Sequence, residues 1–154
     1  MNAVADLTDL VGEWAGPNRL WLTPDSPVRE SQTTASVSMA AEGRFCVVRY
    51  TWAEAGKPQE GLLVVGRPAP RDDVDAVWVD SWHMGDKFLL CRSEPPDGAI
   101  VSLRGSYAAP PGPDWGWRIV LKREVADAFR MLMYNVTPDG EEALAVEASY
   151  TRRT

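Results

Sequence analysis

Phe45-Cys46-Val47-Val48-Arg49-Tyr50-Thr51-Trp52-Ala53 is the stretch on which the fold turns. Its side chains fall into two alternating sets. Cys46, Val48, Tyr50 and Trp52 form one; Phe45, Val47, Arg49 and Thr51 form the other. Successive side chains of a strand point to opposite faces, so a period of two describes a half-buried strand with the first set inward. β-Branched and aromatic residues suit that pleated surface.

Outward from this stretch, segments of the same character recur. The pattern predicts ten strands, over Glu13–Leu22, Arg29–Ala40, Phe45–Ala53, Gln59–Val65, Asp75–His83, Lys87–Ser93, Ile100–Tyr107, Gly116–Lys122, Ala128–Val136 and Glu142–Thr151. Pro17, Pro24 and Pro27 flank the first loop. Further breaks fall at Arg67-Pro68-Ala69-Pro70-Arg71, Glu94-Pro95-Pro96-Asp97-Gly98, Ala109-Pro110-Pro111-Gly112-Pro113-Asp114 and Thr137-Pro138-Asp139-Gly140. Proline fixes φ and removes a donor, so these runs mark turns. Short connections pair neighbours antiparallel. A ten-strand meander leaves two raw edges unless it closes on itself. The expected fold is therefore all-β: a closed antiparallel up-and-down barrel forming a single domain over residues 1–154. Ala3, Leu7, Leu10 and Val11 have helical spacing, with Asp6 placed to cap. They predict a short N-terminal helix corking one end.

The same parity places Val101, Leu103, Gly105 and Tyr107 inward on the seventh strand, Trp117, Ile119 and Leu121 on the eighth, and Phe129, Met131, Met133 and Asn135 together on the ninth. Two strands do not resolve. Trp78, Asp80 and Trp82 oppose Val77, Val79, Ser81 and His83; Leu144, Val146, Ala148 and Tyr150 oppose Ala143, Ala145, Glu147 and Ser149.

Composition removes several function classes. The chain has 154 residues, with 16 Lys and Arg against 22 Asp and Glu, a net charge of −6. Such an acidic chain lacks the cationic surface that duplex nucleic acid requires, so no nucleic-acid partner is expected. One His and two Cys leave nothing for a zinc finger or a disulfide framework, and no metal site is expected. Residues 1–10 carry no Lys or Arg and no long apolar run, which does not read as a secretory signal. No run approaches the ~20 apolar residues of a membrane span. The expectation is a cytoplasmic protein with no membrane partner, with Cys46 and Cys91 reduced.

Two ends of the chain carry a resemblance. Gly12-Glu13-Trp14-Ala15-Gly16 opens the first strand and Tyr150-Thr151-Arg152-Arg153 closes the last. A Gly-x-Trp early with an Arg late resembles the calycin pattern of lipocalins and fatty-acid-binding proteins. That resemblance implies a Trp plugging the barrel bottom with an Arg across its indole, a cation–π contact of about 0.5–2 kcal/mol. More closely, the chain resembles the DUF1579 family of uncharacterised bacterial proteins, through Trp78-Val79-Asp80-Ser81-Trp82-His83, Trp115-Gly116-Trp117-Arg118, Asp139-Gly140-Glu141 and Glu147-Ala148-Ser149-Tyr150-Thr151-Arg152. The resemblance covers nearly the whole chain and implies a fold without an activity. The nitrobindin-like haem proteins share the Gly-x-Trp-x-Gly opening but place an axial His late in the chain. Residues 141–154 contain no His, so haem is disfavoured and no cofactor is expected.

The candidate site residues are Trp78, Asp80, Trp82, His83, Trp117, Met131, Met133, Asn135 and Glu147. The tryptophans (with Trp115) and methionines would line an apolar pocket, since ligand cavities are mostly apolar with a few polar groups. The alternative is a packed core, because small barrels fill with side chains. His83 is the residue whose ordinary pKa lies near neutrality. On a strand, Ser81 and His83 would share a face about 7 Å apart while Asp80 pointed away, so the three are no triad. Arg118, Arg130 and Glu147 would hold a polar or anionic group, or else form a solvated outer face. Glu147, if inward, needs a partner or a proton. Cys46 and Cys91 lack CxxC spacing and read as core thiols. Binding of a small, largely apolar molecule inside the barrel is the leading expectation. A barrel enzyme using His83 with an acidic partner is the second, and an oligomerising structural domain, a homodimer through exposed tryptophans, the third.

Overall fold

The computed structural model describes residues 6–67 and 74–154. The ten strands are β1 (Gly12–Leu20), β2 (Arg29–Ala40), β3 (Phe45–Glu54), β4 (Lys57–Val65), β5 (Ala76–Asp80), β6 (Leu89–Glu94), β7 (Val101–Tyr107), β8 (Trp115–Val125), β9 (Ala128–Val136) and β10 (Glu142–Arg152). Each pairs antiparallel with its chain neighbours, and β1 pairs with β10, so the sheet closes into a barrel. Closure satisfies the backbone groups that an open meander would leave at both edges.

The predicted helix is smaller than expected. Thr8–Leu10 forms a single 3₁₀ turn whose capping residue is Leu7, with no side-chain cap, so Asp6 does not serve as one. Ala3 lies outside the described residues, as do residues 68–71 of the predicted loop. The turn does seal the end: Leu7 and Leu10 are fully buried in the core. Among the described residues no helix is long and apolar enough to cross a membrane.

The inward sets read from β3, β7, β8 and β9 line the core, and the two unresolved strands now have an account. On β5, Ala76, Trp78 and Asp80 are buried while Val77 and Val79 are half-buried. The strand ends at Asp80, and residues 81–86 form turns, so Ser81, Trp82 and His83 do not continue its alternation. The predicted extension to His83 is corrected by the side chain of Asp80, whose carboxylate accepts the amides of Trp82 and His83 and turns the chain. On β10 the register shifts between Leu144 and Val146. One extra residue, Ala145, is inserted there, and such a bulge breaks a period-two pattern.

The seam between β1 and β10 begins at one end of the barrel, where Trp14 pairs with Arg152. Trp14 is fully buried, its indole N–H donating to Leu10 O at 2.8 Å and its ring meeting Phe129 edge-on at 4.7 Å. The Arg152 guanidinium sits 4.3 Å from the Trp14 ring centroid and donates to Val11 O at 2.8 Å and Asp9 O at 3.0 Å. One cation thus stacks on the plug and ties down the carbonyls of the entering chain. The Gly-x-Trp-x-Gly spacing has a steric reason. A Cβ on Gly12, at φ +140°, would stand 2.6 Å from the Arg152 guanidinium, and one on Gly16 only 1.7 Å from Ser149 O. Both glycines let the last strand close against the first.

From this plug the interior is filled with side chains. A gap of about 10 Å³ remains between Tyr50, Trp52, Asp80, His83, Met131 and Met133, room for about one water. The expectation of a guest deep inside the barrel is therefore corrected. Met131 and Met133 are buried core, and usable space lies at the opposite end from Trp14, where β5, β7 and β8 meet their loops.

Candidate functional site

Asp80 is the hub of this open end. It is 2% exposed. Its Oδ2 accepts the Tyr50 hydroxyl at 2.6 Å and the Trp52 indole N–H at 3.2 Å; its Oδ1 accepts the backbone N–H groups of Trp82 and His83, each at 2.9 Å. Tyr50 in turn accepts the indole N–H of Trp78 at 2.8 Å. A buried carboxylate persists only when its lone pairs are occupied, and here four donors occupy them. Tyr50 reaches this position because its partner across the ladder is Gly61. A Cβ at Gly61 would lie 2.1 Å from the phenol ring. Burial, with the Asp80 charge beside it, pushes the Tyr50 hydroxyl well above its usual pKa, so it stays a neutral donor.

The turn held by Asp80 carries His83 into a cage of four indoles. Ring centroids lie 4.7 Å from Trp82, 5.3 Å from Trp117, 5.4 Å from Trp52 and 5.6 Å from Trp78. Burial in this cage lowers the imidazole pKa, an effect that the charges of Asp80 and Glu54 partly offset. Asp80 meets His83 through the backbone amide, and the reading in which an acidic side chain orients the imidazole has no such bond among the described residues. Trp78 and Trp117 stack almost parallel, 5.6 Å apart with 9° between planes. Trp117 is 8% exposed and its buried Nε1 has no acceptor among the described residues.

Above this layer opens a cavity of about 560 Å³, walled by Trp78, His83, Phe88, Tyr107 and Trp117, with Lys87 at its edge. Met84, Ser106 and Ala108 complete it. Its size lies within the usual range for small-molecule sites of about 300–1,000 Å³. A larger groove of about 660 Å³ runs over β2 and β3, but it lies more open to solvent, and Arg29 and Glu54 pair within it. Among the described residues no group of three or more His, Cys, Asp or Glu is arranged to hold a metal ion.

The structure brings most of the expected residues to one end of the barrel. Trp78, His83 and Trp117 line the cavity directly. Asp80 lies behind it as the hub, and Trp82, 39% exposed, packs edge-on against Trp52. Asn135 stands opposite Trp117 in the ladder and accepts the Tyr107 hydroxyl at 2.6 Å. Glu147 is not part of this group. It lies on the outer face between Arg19 at 3.4 Å and Arg130 at 3.1 Å, because the bulge at Ala145 puts Val146, Ala148 and Tyr150 inward. Arg118 also faces out, bonded to Glu142 at 2.8 Å and lying 4.3 Å over Tyr134. Trp115 begins β8 in a half-buried position. The sequence reading passed over Tyr50, Met84, Lys87, Phe88, Ser106, Tyr107 and Ala108 as site residues. For Tyr50 a signal existed, an inward polar group on an apolar face. For Lys87 and Phe88 none did, since the alternation runs on into β6.

Cys46 and Cys91 are free and fully buried. Burial pushes their thiols up, to about 11 and about 12, which makes both inert core residues.

Comparison with known proteins agrees with this architecture. A family model described as "Protein of unknown function (DUF1579)" matches residues 4–152. No curated protein matches the sequence. Among solved structures, the crystal structure of Rv2717c from M. tuberculosis is similar, with a TM-score of 0.60 at 13% identity, covering 99% of this chain and 98% of that one. At that identity the likeness concerns the fold alone.

Proposed function

The chain belongs to the DUF1579 family, and we propose that it binds a small, largely apolar molecule in the cavity at the open end of its barrel. The observation that carries this reading is the aromatic-walled space of about 560 Å³ in front of Trp78, His83 and Trp117, in a barrel whose interior is otherwise filled. Natural interiors are close-packed, and an apolar concavity of this size on a tightly packed scaffold is the usual form of a ligand site. The hydrogen bonds of Asp80 support it further, since they hold the cavity floor rigid before any ligand arrives, which lowers the ordering cost of binding. We further propose a cytoplasmic location, which the two free buried thiols support, since there they would stay reduced.

Calorimetric titration with two uncharged probes, 1-decanol and 1-naphthylmethanol, tests the proposal. At least one is expected to bind, and Ala108→Trp, which fills the cavity from its rim, should abolish the heat without lowering Tm. Absence of heat from both probes, or binding undisturbed in Ala108→Trp, refutes it.

A further inference from the structure

The chemistry of the cavity wall narrows the ligand class, on the premise that the cavity is a binding site. Three observations act together. First, the cavity is shallow. Trp78, His83 and Trp117 form its floor, and the gap beneath holds about 10 Å³. An extended alkyl chain finds no tunnel there and would leave part of its length in water, whereas a flat ring of equal area lies wholly against the wall.

Second, the wall is aromatic. Four lining residues, His83, Phe88, Tyr107 and Trp117, expose ring surface, and Trp78 backs Trp117 in a stack. Aromatic pairs in offset or edge-on geometry contribute beyond their buried area, which an aliphatic guest does not gain.

Third, the wall is positive in an acidic protein. The chain carries a net charge of −6, yet the one charged lining residue is Lys87, and no carboxylate lines the cavity. Lys87 forms no ion pair among the described residues, although most arginines around the barrel do. Asp86, its neighbour in sequence, does not line the cavity. The Ser106 hydroxyl adds a further polar group. The neutral form favoured at His83 adds no second cation. A ligand matched to this wall carries its apolar surface as a ring and its polarity as an acceptor bearing one negative charge.

From these we infer that the cavity takes a compact planar aromatic monocarboxylate, with the ring against His83, Tyr107 and Trp117 and the carboxylate at Lys87. Such an acid is ionised at neutral pH. Its charge stays at the exposed rim, where desolvation is small, while its ring enters the apolar cup.

The test is calorimetry on the full chain with three probes: 1-naphthoate, its uncharged analogue 1-naphthylmethanol, and decanoate. Naphthoate is expected to bind roughly tenfold more tightly than either of the others, a difference of about 1.4 kcal/mol. Lys87→Gln should remove most of the advantage over naphthylmethanol by weakening naphthoate far more than naphthylmethanol. Lys87 is exposed and outside the core, so this variant folds as the parent does. Decanoate binding as well as naphthoate overturns the aromatic assignment and leaves the cavity reading standing. Equal affinity for naphthoate and naphthylmethanol, or naphthoate binding untouched by Lys87→Gln, overturns the carboxylate assignment alone. Failure of all three probes overturns the cavity reading and this inference together.

Discussion

Asp80→Asn is the substitution that most directly probes how this protein holds its open end. The change is isosteric but replaces one acceptor oxygen with a donor. If the Asn oxygen keeps the two turn amides of Trp82 and His83, its NH₂ group faces the Tyr50 hydroxyl and the Trp52 indole, now bonded at 2.6 and 3.2 Å. Tyr50 already accepts from Trp78, so it can turn to accept again, but its own proton then has no partner. Trp52 Nε1 is left without one as well. Two buried donors lose acceptors at about 1–3 kcal/mol each, and the relief of a buried charge offsets part of this. The net expectation is a loss of about 2–5 kcal/mol. At roughly 2–4 °C per kcal/mol for a chain of this size, Tm should fall by about 4–20 °C. Thermal unfolding followed by circular dichroism measures it, with tryptophan emission as a local probe, since Asp80 organises Trp52, Trp78 and Trp82. The exposed Asp139→Asn is the control and should move Tm by no more than a degree or two. An Asp80→Asn variant melting within about 2 °C of the parent would refute the hub assignment.

Other expectations concern the seam and the response to acid. Trp14→Ala removes a fully buried indole and should cost about 3–5 kcal/mol in urea unfolding, and Arg152→Met, which keeps the stem but loses the stacking and carbonyl contacts, about 1–3 kcal/mol. A near-neutral Trp14→Ala would remove Trp14 from its plug role. For pH, burial holds the His83 pKa below its unfolded value near 6.5, so between the two values the unfolded chain binds more protons and stability rises with pH. His83's contribution is therefore complete above about pH 6.5 and is lost as pH falls through the folded value. Urea midpoints at pH 7.5 and 5.5 should differ less in His83→Gln than in the parent; an equal difference would show that the imidazole is not desolvated. Glu142, whose hydrogen bonds from Arg118 hold its pKa below the usual carboxylate range, acts in a lower window, around and below pH 4.5.

The seam shows how much of the fold was legible in the chain alone. Trp14 with its flanking glycines and Arg152 lie 138 positions apart. Their association followed from a resemblance, and the geometry supplies its cause, a guanidinium over an indole with no room for a side chain at Gly12 or Gly16. The inward parity of β3, β7, β8 and β9 was readable because those inner faces are apolar. β5 resisted because its inner face carries Asp80, whose partners Tyr50 and Trp52 come from β3. β10 resisted because Ala145 is one residue too many, and nothing local distinguishes a bulged alanine from a paired one.

What the sequence by itself determined is the class of object: ten segments broken by proline and glycine, with a period of two in place of the helical period of about 3.6, and too numerous to stay open. Period, turn chemistry and edge pairing are local properties and can be read locally. Where that object is hollow was decided only by the tertiary structure. Whether Met131 and Met133 border a cavity or a core depends on how side chains from opposite walls meet across the barrel. Whether Glu147 faces in or out depends on one inserted residue, and whether Asp80 belongs with His83 depends on a turn that its own carboxylate creates. Packing is a property of pairs distant in the chain, so the sequence could name the residues while the closed barrel alone determined which of them share a space.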